Sequence, residues 1–235
     1  MRAAHIRRQQ KGRQMRNAHS IRIPVPADEP LSRVERRKAR TNKRLLEVAR
    51  QLFSEKGIYW AKVEDITELA DQGKGTFYKY FESKEALICA LLKEGLDELT
   101  SETEQAVRNV QPGPNALSAA IEARVDFFLK WPEYLLFFHQ VRGMMQLQVA
   151  VGKELRAIYD AHLRWLAQLI KPAMGAGQAS SARDIATATA AYVSGVLTYH
   201  VLFEGHEATR RRRQYFIEML DQSLQPLIKG GNRSR

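Results

Sequence analysis

Across 235 residues the chain carries one cysteine, Cys89. A single thiol excludes a disulfide framework and a cysteine-rich zinc cluster, so stability has to come from an apolar core, for which a composition of 44% hydrophobic residues is sufficient. The natural compartment for such a chain is a reducing cytoplasm. No apolar run is read as reaching the roughly 20 residues that span a bilayer, and the N-terminus lacks the apolar segment of a secretory signal, so no membrane partner is expected. Strand-like alternation of apolar and polar residues is missing as well, and long segments repeat with helical period instead; the expected fold class is all-α. There is no nucleophile elbow, phosphate-binding glycine loop or paired-acid constellation, and no internal repeat. The chain is therefore expected to be no enzyme and to need no cofactor. His200, Glu204 and His206 are too few for a convincing metal site and read as polar groups at a helix end, while Cys89 reads as a small buried thiol.

What is present is positive charge, in one place. Residues 1 to 44 hold fourteen Lys or Arg against Asp28, Glu29 and Glu35, whereas the other 191 residues are balanced, so the whole formal charge of +11 sits at the N-terminus. Pro24, Pro26 and Pro30 and the scarcity of apolar residues mark residues 1–38 as a basic tail without a packed structure of its own. Two readings are compatible: a solvated leader, and an arm that orders on nucleic-acid phosphate.

Immediately after it, two short apolar patterns meet across a four-residue gap. Val63, Ile66, Leu69 and Ala70 share one face of a first helix, with Glu64 and Asp65 in the first turn where the helix dipole favours carboxylates. A second helix begins near Gly73. At 100° per residue Phe77 and Phe81 fall inward, and Gly75 and Lys79 fall opposite, flanked by Thr76 and Tyr78. That outward face is small, basic and aromatic, as required of a helix pressed into a DNA major groove. Lys62, Gly73, Lys74, Gly75, Thr76, Tyr78, Lys79, Tyr80 and Lys84 are the candidate DNA-binding residues, Lys84 because it opens the next helix, after the Ser83 cap, where ammonium and free N–H groups can meet phosphate. A stripe of Leu45, Ala49, Leu52 and Phe53, closed by Gly57, supplies a helix to support the pair.

These residues resemble the DNA-binding domain of the TetR-like bacterial transcription regulators. The segments KRLLEVARQLFSEKGIYWA (43–61) and VEDITELADQGKGTFYKYFESKEAL (63–87) follow the family's pattern in register, and Thr76, Tyr78, Phe81, Ser83, Lys84, Glu85 and Leu87 occupy its most recognisable positions. The chain departs from it in the turn, where Ala70-Asp71-Gln72-Gly73 stands for the usual Ala-Gly-Val-Ser, and at Lys62, which replaces a capping threonine or serine. The resemblance implies a helix-turn-helix domain (39–86), a helical effector-binding and dimerisation domain (87–229), a short unstructured end (230–235), and double-stranded operator DNA as partner.

Beyond the break at Gln111-Pro112-Gly113-Pro114, helices are expected from Leu117 to Phe128, from Pro132 to Phe138, from Leu155 to Ile170, from Ala182 to Phe203 and from Thr209 to Ile228, with a loop over Met174–Ser181. Ile185, Tyr192 and Tyr199 recur every seven residues, as do Thr189, Val196 and Phe203, beside the small Ala188, Ala191 and Gly195; Leu220, Leu224 and Leu227 form a matching stripe. The resemblance makes these last two helices the seam of a homodimer, the alternative being an ordinary intramolecular core. Large and polarizable side chains crowd the preceding helices. Phe128, Trp131, Phe138, His139, Met144, Tyr159, His162 and Trp165, with Tyr199, are the candidate effector site for a small apolar or aromatic molecule; the competing reading is packing alone. Three functions follow: a dimeric repressor released by an effector, a ligand-independent or architectural DNA binder, and an enzyme or carrier in the helical domain. Arg210 to Arg213 read as a solvated or acid-paired run.

Overall fold

The computed structural model describes residues 32–146, 150–174 and 181–229, and among them there are helices and turns but no strand. The basic tail up to residue 31 and the C-terminal end from 230 lie outside the described residues. Ten α-helices follow in order: α1 (Arg33–Lys56), α2 (Val63–Leu69), α3 (Lys74–Tyr80), α4 (Lys84–Arg108), α5 (Asn115–Lys130), α6 (Pro132–Met144), α7 (Ala150–Ile170), α8 (Ala182–Glu204), α9 (His206–Arg211) and α10 (Arg213–Lys229).

α1 starts earlier than the expected domain edge at 39. Ser32 and Glu35 form a reciprocal cap: the Ser32 hydroxyl accepts from the Glu35 N–H at 3.2 Å, and the Ser32 N–H donates to Glu35 at 2.8 Å. This cap draws Arg33, Arg36, Arg37, Lys38 and Arg40 into an exposed, basic two-turn extension of the helix. Farther along, Leu45, Ala49, Leu52 and Phe53 are buried and Gly57 closes the helix at φ 86°, a conformation that suits glycine. Ile66, Ala70, Phe77 and Phe81 complete a small core with them. Leu69, expected on the same inward face as Ile66, is 55% exposed, since at 100° per residue it lies at the edge of the face that Ile66 and Ala70 bury; its carbonyl accepts from the Arg44 guanidinium at 3.2 Å.

Asp71, in the turn between α2 and α3, stands at φ 54°. Left-handed backbone costs a side-chain-bearing residue more than glycine. Asp71→Gly should therefore raise unfolding stability by about 0.5–1 kcal/mol, read from urea midpoints at constant m value; a loss of stability would show that the aspartate side chain makes up for its backbone.

The remaining helices form the larger part. α4 packs on α5 and α7, α5 on α10 and α8, and α6 joins α8 to α1, which ties the two parts together. Phe53 stacks on Phe137 at 5.9 Å across that junction. Gln140 fastens it, donating to the Phe53 carbonyl at 2.8 Å and accepting the Ile58 N–H at 2.7 Å. Gly95 sits under Tyr134 so closely that a Cβ would lie 2.6 Å from the ring.

α8 corrects one reading of the sequence. Ala182–Glu204 is long and apolar enough to cross a membrane by length and composition. Its Ile185, Ala186, Ala190, Val193 and Leu197 nevertheless face the bundle core, and its buried Thr189, Ser194 and Thr198 each hydrogen-bond the carbonyl four residues back, the pattern of a core helix. The expected final helix from Thr209 is split at Arg212 into α9 and α10. Arg213 then pairs with Asp126 and with Glu122, and Arg212 with Glu204, so that part of the arginine run is held by acids.

Candidate functional site

α2 and α3 present the candidate nucleic-acid surface. α2 has no side-chain cap, and Asp65 fills the gap by accepting the Lys62 N–H at 3.2 Å. α3 begins at Gly73, also uncapped. Phe77, wholly buried, anchors α3, and Tyr78 stands against its edge at 5.3 Å while remaining 56% exposed. Lys79, Gly73, Lys74 and Gly75 are exposed, Thr76 is half-buried, and Tyr80 is half-buried against the core. A Cβ at Gly73 or Gly75 would meet nothing within 4 Å, so the backbone there is open to close approach. Lys74 reaches back to Glu64 at 2.6 Å; this contact raises the lysine pKa and lowers that of the carboxylate, and ties the start of α3 to the first turn of α2.

Lys84 departs from expectation. Its ammonium turns inward, donating to the Ile58 carbonyl at 2.9 Å and the Ala61 carbonyl at 3.0 Å. It thereby locks the loop before α2 onto α4, and the role the structure gives it is to position the reading helices. Sequence spacing could not show this, because both carbonyls belong to a loop more than twenty residues away.

The aromatic concentration divides into four places. Phe127, Phe128, Tyr134, Phe137 and Phe138 pack ring against ring at 5.4–6.0 Å as solid core. Met144 is buried at the end of α6, and His139 is exposed. Trp131 lies at the α1–α6 junction with the Arg50 guanidinium 4.8 Å over its ring. Tyr199 is on the outside, 65% exposed and stacked with Phe203. None of these borders the cleft between α4 and α7, which of the candidate effector residues is lined by His162 and Trp165, with Tyr159 beside them.

That cavity is a cleft of about 400 Å³ between α4 and α7, bordered by Lys93, Leu96, Asp97 and Thr100 on one side and Ile158, Ala161, His162 and Trp165 on the other. Trp165 is fixed by its indole N–H, which donates to Glu104 at 2.8 Å. Behind the cleft lies Arg124, a charged side chain on α5 that is 1% exposed. Its NH1 lies 3.1 Å from His162 Nε2, and His162 Nδ1 lies 3.2 Å from the Thr100 hydroxyl. Arginine can only donate, so Nε2 accepts, the imidazole proton sits on Nδ1, and the Thr100 oxygen receives it. Burial first, and then the Arg124 charge, push the His162 pKa down to about 2, so the ring is neutral. Burial also lowers Arg124 to about 10, which leaves it charged at neutral pH. The helical spacing of His162 and Trp165 was legible, but Arg124 gave no sign of its role; a lone arginine on an otherwise apolar helix face was the available clue.

Elsewhere, His200 bonds Glu204 at 2.8 Å and His206 meets the Leu129 carbonyl at 2.8 Å, and the described residues contain no cluster of three or more metal-ligating side chains. Cys89 is buried, its thiol pushed up to about 12 by burial first and by nearby Glu154.

Residues 45–91 match the family described as bacterial regulatory proteins, TetR family. The transcriptional activator FasR of Mycolicibacterium smegmatis is 35% identical over 83 residues, 35% of this chain and 38% of its own length; the chain thus matches less than half of that relative. The transcriptional regulator UidR of Escherichia coli K12 is 26% identical over 190 residues, covering 81% of this chain and 92% of its own. Among solved structures, FadR of Bacillus subtilis, in complex with stearoyl-CoA, superposes with a TM-score of 0.63 at 17% identity, over 76% of this chain and 96% of that one, a likeness of fold. The helix-turn-helix of α2 and α3 lies within the matched residues, so residues 45–91 carry the likeness to the TetR family of bacterial transcriptional regulators, and the all-helical body behind them shares the fold of FadR.

Proposed function

We propose that the protein is a dimeric, sequence-specific DNA-binding repressor, released by a small, largely apolar molecule held between α4 and α7. The helix-turn-helix domain (39–86) would read operator DNA through α3, and the helical remainder (87–229) would bind the effector and pair two copies. The observation that carries this reading is α4 itself. One continuous helix has Lys84 locking the reading domain at its start and Leu96, Asp97 and Thr100 walling the cleft about three to four turns later. A ligand that spreads α4 from α7 would move the reading domain, and it lowers operator affinity only by preferring one of the two spacings. That FadR of Bacillus subtilis was solved with stearoyl-CoA supports a ligand in a fold of this kind.

Pairing is supported by an apolar surface. Tyr192, Tyr199, Leu202 and Phe203 on α8, with Tyr215 and Leu227 on α10, are large apolar side chains between 42% and 80% exposed. The expected seam is redrawn by the fold. Ile185, Thr189, Leu220 and Leu224 are buried within one chain, leaving Ala191, Tyr192, Tyr199 and Phe203 exposed, with Ala188 and Gly195 half-buried beside them. The exposed arginines at the start of α1 continue the basic tail toward phosphate.

The reading surface is tested with genomic fragments retained by the protein. Tyr78→Ala and Lys79→Ala should each weaken binding about 5- to 100-fold by fluorescence anisotropy, with Lys79→Ala also shallowing the log affinity against log salt slope by about one. Wild-type affinity in both would remove α3 from the interface.

A further inference from the structure

A guanidinium withdrawn from water ordinarily lies against a carboxylate, since an uncompensated buried charge costs several kcal/mol. Arg124 is fully buried, yet among the described residues its hydrogen-bond partner is the neutral His162, and its Nε has no partner at all. Nearby acids are engaged elsewhere: Glu104 holds the Trp165 indole and Arg108, and Glu102 holds Lys130. The positive charge is passed instead along a directed chain. Arg124 donates to His162, His162 donates to Thr100, and Thr100, having accepted at its oxygen, has its own hydroxyl proton left to give. Thr100 and His162 both border the cleft. Hydrogen bonds in series polarise one another, so the donor that reaches the cleft is strengthened by the charge behind it.

We propose that the cleft takes a small organic carboxylate with an apolar body. The carboxylate accepts from Thr100 beside His162 and supplies the countercharge Arg124 lacks; the body lies against Leu96, Ile158 and Trp165. Lys93 at the rim adds a second positive charge, and Asp97, one turn further along the same face of α4, disfavours a dianion. A phosphate would need more donors than one hydroxyl to satisfy its oxygens. This proposal rests on the effector reading above and narrows it to a ligand class.

The test compares decanoate, 4-phenylbutyrate and indole-3-acetate with their primary amides, which share each body and lack the charge. Binding to the full-length protein at pH 7.5 is followed by calorimetry, and release of retained DNA by anisotropy. At least one carboxylate should bind and release DNA about tenfold or more tightly than its amide, as expected when a hydrogen bond involves a charged group. Thr100→Val should abolish that preference by weakening carboxylate binding more than amide binding, and Arg124→Met should abolish it too if circular dichroism shows the fold intact. Amides that bind and release DNA as well as the carboxylates overturn the charge assignment but keep the effector reading, as does a preference that survives in Thr100→Val. Silence from both sets overturns the carboxylate proposal, and a chemically diverse library then decides the effector reading separately.

Discussion

The double substitution Tyr199→Glu, Phe203→Glu should yield a folded monomer whose affinity for a two-fold DNA site is lower by at least about 100-fold. The two rings stack at 6.0 Å on the outside of α8 and are 65% and 80% exposed, so replacing them takes nothing from the intramolecular core. Facing a second copy, four carboxylates would meet across an apolar seam, where desolvation and repulsion both oppose association. A dimer on two half-sites gains a second contact at high effective concentration, worth about 10²–10⁴ in affinity, and a monomer forfeits it. Sedimentation velocity and anisotropy on the same preparation separate the two effects. A variant that stays dimeric places the seam elsewhere, and a monomer with undiminished affinity removes the need for pairing.

The second expected result is an acid instability centred on one histidine. Because the folded pKa of His162 is held near 2 and an unfolded histidine titrates near 6.5, the unfolded chain takes up a proton below pH 6.5 that the native chain refuses. The stability conferred by a neutral His162 is complete above pH 6.5 and is lost as pH falls, at about 1.4 kcal/mol per unit. From pH 6.5 to 4.5 the loss attributable to this ring is roughly 2–3 kcal/mol. His162→Gln supplies a carbonyl for Arg124 and an amide N–H for Thr100 without titrating. Urea unfolding between pH 7.5 and 4.5 should therefore show wild type falling steeply against a flatter variant. Parallel curves would mean that water reaches the ring.

Apolar periodicity made the helices of the reading domain and most of the body legible, since Leu45, Phe53, Ile66, Phe77 and Phe81 bury where a 3.6-residue repeat places them. Three features were hidden for one physical reason. The pattern states that a side chain is apolar or charged but not what stands across from it. Thus Ile185 and Tyr199 looked alike in the seven-residue repeat, though one is 5% and the other 65% exposed. Lys84 looked like a phosphate contact until the loop carbonyls of Ile58 and Ala61 came within reach. Phe128 and Phe138 looked like pocket walls, yet each is 1% exposed among other rings. The start of α1 was legible too: helical character is read from about Leu31, and the cap of Ser32 and Glu35 starts the helix at Arg33, inside the stretch assigned to the basic tail.

The central claim, that two copies read DNA through α3, is tested most directly by selecting bound sequences from a random double-stranded library with the full-length protein and determining how many chains occupy each. The account predicts an inverted repeat with its half-sites separated by about one helical turn or a multiple of it, occupied by two chains, and lost from the Tyr78→Ala selection. An asymmetric motif filled by one chain, or retained binding without any motif, would contradict it.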